Sequence, residues 1–211
     1  MKTILRPIGI VCAALVMLSC SKGDPEANFA VKDKNSSNKA TASYSYTEAK
    51  ISISDIDFDF EKEAGTDNEK ELEGNYTFNI LTGEASNGNT TVEIAAGTYK
   101  ELEYEMTAQL SGGNSMIVKG TATDGNGSYD FEYASSMEGE YEVESNGETA
   151  NEGDNVDFVL FIDLDAMFTG VDFANAVVDS DNVIRINENS NEALRLIIEG
   201  NLASSLEFDS E

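Results

Sequence analysis

From Ala49 onward apolar and polar residues alternate with a period of two, and no other feature restricts the fold of this chain as strongly. Ile56, Phe58 and Phe60 alternate with Asp55, Asp57 and Asp59, and Leu102, Tyr104 and Met106 alternate with Glu101, Glu103 and Glu105. Tyr129, Phe131 and Tyr133 interleave with Asp130 and Glu132, Tyr141 and Val143 with Glu140, Glu142 and Glu144. Val156, Phe158, Leu160 and Ile162 close the series. Successive side chains of a strand point to opposite faces, so the pattern describes strands with one buried face and one wet face. Gly/Asn-rich clusters at residues 65–68, 86–89, 112–114, 124–127 and 145–147 supply the turns. The expected fold is mainly β, an antiparallel β-sandwich of about 7–9 strands.

One break in parity makes a sharper expectation. Ile51 and Ile53 lie on one parity, whereas Ile56, Phe58 and Phe60 lie on the other. A single strand points both sets inward only by inserting a residue, so the spacing predicts a bulge near Ser54–Asp55, the alternative being that Ile51 and Ile53 face a different partner such as a second sheet or a helix. The C-terminal quarter changes period. A short helical turn is expected from Asp163, closed by Gly170, then a last strand over Val183–Ile186. Leu194, Ile197, Ile198 and Leu202 are spaced for the apolar stripe of an amphipathic helix ending about Leu206, with Asn189 and Glu192 as its capping box.

Composition narrows the chemistry. The 211 residues hold 13 Lys and Arg against 40 Asp and Glu, no His and no Trp, for a formal charge of -27. Without His there is no Ser-His-Asp or Cys-His nucleophile, no HExxH zinc site and no histidine pH switch. The acidity also argues against nucleic acid, whose phosphates require Lys and Arg. It is unevenly placed: residues 51–211 carry six basic groups against 36 acidic ones. No catalytic residue is expected, because the acids alternate with apolar residues and so face solvent, where carboxylates keep low pKa values. The chain has no Gly-rich phosphate loop or Gly-x-Ser-x-Gly elbow. The chain is not expected to be an enzyme.

The N-terminus has a different character. Lys2 and Arg6 precede an apolar run over residues 7–18, followed by Met17-Leu18-Ser19-Cys20. The run is shorter than the about 20 residues of a membrane-spanning helix and matches a secretory h-region. Its end resembles a bacterial lipobox. That resemblance implies a signal peptide over 1–19 and a diacylated Cys20 as first residue of the mature chain. Ser, Asn, Lys and Thr then suggest a lipidated Cys and flexible tether over 20–46, ahead of a single acidic β-sandwich domain over 47–211.

The Ser21-Lys22-Gly23-Asp24-Pro25-Glu26 stretch resembles the polar segments that follow the lipidated Cys of Bacteroidota-type surface lipoproteins. The Ala96-Gly97-Thr98-Tyr99 turn, entering a long alternating strand, resembles an uncharacterised group of such lipoproteins with a transthyretin-like β-sandwich. Gly97 is expected to supply a positive φ there. The resemblance implies a cell-envelope, outer-membrane location, on the cell surface or periplasmic face, and no particular activity.

Two functional expectations follow. One is a lipid-anchored, surface-displayed binding or structural module with a protein or glycan partner. The other is an envelope accessory protein that holds calcium or a small ligand in acidic loops. Hard cations take oxygen ligands, and Asp124, Asn126, Ser128 and Asp130 offer oxygens at positions 1, 3, 5 and 7 of an EF-hand-like stretch. The likeness stops at Tyr129, where the loop requires Gly, and at Ser135, where it requires a bidentate Glu. A polar hairpin turn accounts for the same residues. No other cofactor is expected.

Overall fold

A computed structural model describes residues 23–35, 44–61 and 67–210. The expected signal peptide, Cys20 and residues 36–43 lie outside the described residues.

The alternation does form strands, arranged in two sheets that pack face to face. The first sheet has the order β12 (Leu206–Ser210), β10 (Asn155–Ile162), β1 (Glu26–Asp33) and β5 (Thr91–Glu93). The second runs β11 (Val183–Ile186), β8 (Ser128–Ser135), β7 (Met116–Thr123), β2 (Tyr44–Glu61), β3 (Asp67–Asn79) and β4 (Glu84–Ala85). Two more strands, β6 (Gly97–Met106) and β9 (Gly139–Ala150), join the second sheet through β2. Among the described residues two α-helices accompany the sheets, α1 (Leu164–Met167) and α2 (Glu192–Leu202). The mainly-β sandwich holds, with mixed sheets: β1 runs parallel to β10 and β11 runs parallel to β8.

The long strand β2 organises the second sheet. Along one edge it pairs with β3 from Lys50 to Glu61. Its other edge is divided, with β7 on Tyr44–Ile51 and β6 on Ile53–Glu61. The register against β3 slips between Ser54 and Ile56, and Asp55 takes a left-handed φ of 47°. This is the bulge that the parity break predicts. It keeps Ile51, Ile53, Ile56 and Phe58 all fully buried. Where the sheet branches, the outer side of β2 is covered too. Ser52 N–H donates to Ser115 O at 2.8 Å and Ser52 O accepts from Thr107 N–H at 3.1 Å, so Ser52 is buried.

Aromatic rings join the sheets. Phe58 of β2 lies 5.8 Å from Phe29 of β1 and 5.5 Å from Phe158 of β10. Phe158 in turn touches Tyr99 of β6 at 5.0 Å and Phe208 of β12 at 5.4 Å. A second aromatic group, Tyr44, Tyr46, Phe131, Phe168 and Phe173, seals the helical end of the sheet.

Several expectations need correction. The tether expected over 20–46 contains a strand: β1 lies inside the first sheet with Ala27, Phe29 and Val31 buried. Its inward positions are Ala27, Phe29, Val31 and Asp33, too mixed to register as an apolar period. Domain structure therefore begins by Pro25, whose carbonyl accepts from Ile94 N–H at 2.9 Å. The Asn189–Glu192 capping box does not form. The α2 N-cap is Asn191, whose side chain instead bonds Val177 and the Arg185 carbonyl. As the apolar stripe predicts, helical backbone runs to Ser205, through α2 and a 3-10 turn at Ala203–Ser205, and the chain then enters β12. Gly97 has no left-handed φ; the turn is held instead by the Tyr99 hydroxyl, which donates to Ala95 O at 2.8 Å.

Two predictions follow from β2. Phe58→Ala removes the ring shared by both sheets, and its cost is about 3–5 kcal/mol in chemical denaturation. Asp55→Gly relieves a left-handed residue, a strain of about 1–2 kcal/mol, against the ~0.5–1 kcal/mol entropic cost of Gly, and leaves stability unchanged or raised. Asp55→Val lowers stability, because a β-branched residue is disfavoured at that φ.

Candidate functional site

The carboxylates that alternate with the core strands are gathered by the register into rows. One row runs across four strands as Glu69 (β3), Asp59 (β2), Glu101 (β6) and Glu144 (β9). The next runs Glu71, Asp57, Glu103 and Glu142. Glu105 and Glu140 begin a third, beside the bulged Asp55. Adjacent strands lie about 4.8 Å apart and same-face neighbours along a strand about 7 Å apart, so each acid has several acidic neighbours. Carboxylate oxygens of Asp59, Glu101 and Glu103 all lie within 4.8 Å of one another.

Crowding shifts protonation upward. Asp57 is raised from its ordinary 3.8 to about 6, first by partial burial and then by the charges of Glu71, Glu69, Glu103 and Asp59. Glu101 and Glu103 move up as well, again first through burial and then through neighbouring acids. Two shallow hollows flank the rows. One, of about 310 Å³, is lined by Asp55, Asp57, Glu103, Tyr104, Glu105 and Glu140. The other, of about 450 Å³, is lined by Thr98, Lys100, Glu101, Glu144, Ser145 and Gly147.

The other limb of the same sheet is arranged differently. Lys50 and Lys119 meet Glu48 at 2.7 and 3.1 Å, and Lys119 meets Glu132 at 3.8 Å. The two limbs leaving β2 thus differ in kind: the β7–β8 limb interleaves its acids with Lys, and the β6–β9 limb stacks acid on acid.

The residues singled out as calcium ligands fall on the β7–β8 hairpin, and their oxygens have local partners. Asp124 Oδ1 accepts from the Asn126 and Gly127 N–H groups at 2.7 and 3.0 Å. Asp130 Oδ1 accepts from the Thr121 hydroxyl at 2.8 Å, and the Ser128 and Thr123 hydroxyls lie 3.0 Å apart. The register brings these four residues to one turn and gives three of them turn-stabilising roles, while Asn126 stays exposed. Asp163 caps α1, accepting from Ala166 N–H at 2.9 Å. The rows of carboxylates were visible as separate acidic alternations; their convergence depends on strand order.

At the helical end Asp33 is buried, and accepts from Asn35 N–H at 3.3 Å and Leu164 N–H at 3.5 Å. Burial is the main cause that raises its pKa, with Asp165 and Asp163 adding to it. Among the described residues no helix is long and apolar enough to cross a membrane. No protein-family model, curated protein or solved structure matches this chain.

The titration shifts give stability a pH dependence of definite sign. Asp57 holds its proton more tightly folded than unfolded, so the native state binds more protons between pH 3.8 and about 6. Stability therefore falls as pH rises through that window, and Asp33, Glu101 and Glu103 act in the same direction. Asp181, lowered to about 2 chiefly by its hydrogen bond to Arg185, acts oppositely and only in stronger acid. At fixed ionic strength the melting temperature is expected to be higher at pH 5 than at pH 7. Asp57→Asn should flatten that difference, and added salt should raise the melting temperature more at pH 7 than at pH 5.

Proposed function

We propose that this chain is a lipid-anchored cell-envelope protein that acts as a binding or structural module rather than an enzyme, and that it presents the β3-β2-β6-β9 carboxylate face to a positively charged partner. The observation that carries the binding part is the pair of four-strand carboxylate rows, Glu69–Asp59–Glu101–Glu144 and Glu71–Asp57–Glu103–Glu142. Like charges on directly opposed strand positions destabilise a sheet. A cationic partner relieves that repulsion on binding, so association with Lys- or Arg-rich segments is favoured by the relief as well as by direct attraction. The Lys2/Arg6 n-region, the apolar run and Cys20 supply the envelope address.

A calcium reading rests on a separate observation, the Asp59, Glu101 and Glu103 oxygens within 4.8 Å of each other. This triad is a second place for a hard cation beside the β7–β8 hairpin, because three oxygen donors there lie close to one another.

Each part has its own test. Cys20→Ser should move the protein from the membrane to the soluble fraction of the producing bacterium. A Lys-rich peptide should bind the wild-type chain, more weakly as salt rises. The Asp59→Asn/Glu101→Gln/Glu103→Gln variant should bind it about tenfold more weakly, from ~0.5 kcal/mol per exposed charge pair. Calcium should raise the melting temperature beyond sodium at matched ionic strength, and Glu101→Gln should remove the increment while Asp124→Asn keeps it. An equal effect of the two salts would sink the calcium reading.

A further inference from the structure

We infer that the domain sits on its membrane with a fixed polarity, the pole at the start of β1 lying against the lipid headgroups and the α1–α2 cap pointing away. This rests on the lipid-anchor reading of Cys20 and adds an interaction surface to it. The occupant of that surface is the phospholipid headgroup layer.

The argument is one of covalent reach. Pro25 is already held, by the bond from Ile94 N–H to its carbonyl, and Glu26 N–H donates to Asp154 O at 3.0 Å. Four residues, and so five Cα–Cα steps, separate Cys20 from Pro25. Whatever path they take, those residues span at most about 18 Å. A 26-residue tether starting at Ser21 would instead wander over an r.m.s. distance of about 28 Å and leave the domain free to tumble.

Strand directions then decide which surfaces lie near and far. At the anchored pole the start of β1 pairs with Glu93 of β5 and Asn155 of β10, beside the β9–β10 turn at residues 151–154. The end of β6 that carries Gly97 pairs with Ala150 there, and the end of β2 reaches Thr98. At the far end of β1, Asp33 accepts from Leu164 N–H at the start of α1, and Lys34 pairs with Glu207. Tyr44, where β2 begins, donates its hydroxyl proton to Phe168 O at 3.0 Å. So β1 and β2, running in opposite senses, both put the helices at the pole opposite the anchor. The eight residues of β1 alone separate the poles by about 25 Å.

The anchored pole is acidic, with exposed Asp24, Glu26, Glu93 and Glu152. Anionic headgroups repel it, and the short connection holds it close nonetheless. At the far pole Leu196 of α2 is exposed, as is Val177, which is hydrogen-bonded to the α2 N-cap residue Asn191.

The chain is suited to a direct measurement. Its two cysteines are Cys12 and Cys20, so in the lipidated mature form an introduced thiol is the only free one. Glu93→Cys and Val177→Cys, each labelled with a donor fluorophore, are placed in phosphatidylcholine vesicles containing a headgroup-labelled acceptor lipid. Energy transfer from position 93 should exceed that from position 177 several-fold, and the order should persist with phosphatidylglycerol added. A long Gly/Ser insertion after Ser21 should bring the two efficiencies together. Equal or reversed transfer from a chain that is acylated by mass spectrometry and sediments with vesicles overturns the polarity and leaves the anchor intact. A chain with no acyl mass on Cys20 that stays in the supernatant overturns both.

Discussion

The structure depends on one extra residue in β2. A strand carrying Ile51 and Ile53 on one parity and Ile56, Phe58 and Phe60 on the other buries both sets only if its backbone slips once, and Asp55, at a φ of 47°, is where it slips. Asp tolerates the left-handed region better than a branched residue does. With that slip in place β2 presents a continuous apolar face, and Phe58 reaches Phe29 and Phe158 of the opposite sheet. The same region is where the strand changes partner from β7 to β6. One local distortion thus joins the sandwich across its core and divides the second sheet into two limbs.

The division accounts for the distribution of charge. Outward positions on both limbs alternate with buried ones, so acids are admissible on either. The β7–β8 limb places Lys50 and Lys119 among its acids. Across the β6–β9 limb the registers of three strand pairs align so that Glu or Asp opposes Glu or Asp. Partial burial first, and the resulting repulsion second, raise the pKa of Asp57, Glu101 and Glu103.

Much of this was legible from residue order, and what was not has physical reasons. Period-two alternation specifies which side of a strand is buried, so the core residues of β2, β6, β8 and β10 and the bulge at Asp55 could be read directly. Pairing partners are set by contacts far apart in the chain, so the parallel pairing of β11 with β8 and the carboxylate rows could not. Strand β1 escaped notice because one of its inward positions is Asp33 and another is Ala27; its burial depends on β10 rather than on its own composition. The Asn189–Glu192 cap was a local rule overruled by tertiary structure, since Asn191 takes the N-cap position to bond Val177 and Arg185. The hairpin at Asp124 matched an ion-binding spacing because short polar turns and cation loops use the same oxygen-bearing residues.

The position of β1 has a consequence for the order in which the molecule assembles. Asn28 meets Asp157 across 129 residues of sequence. The first of the described strands is thus completed by one of the later ones. Closing so long a loop is entropically unfavourable until the intervening strands are in place, and topologies rich in such distant pairings fold slowly. Within the second sheet β2 with β3 and β7 with β8 are neighbours in sequence, so these hairpins close far shorter loops than the pairing of β1 with β10 does. Until β10 arrives, Phe29 and Val31 lack the partner that flanks β1 along its whole length, and only the start of β1 can pair, with β5. Their burial in the core is complete only with β10 alongside.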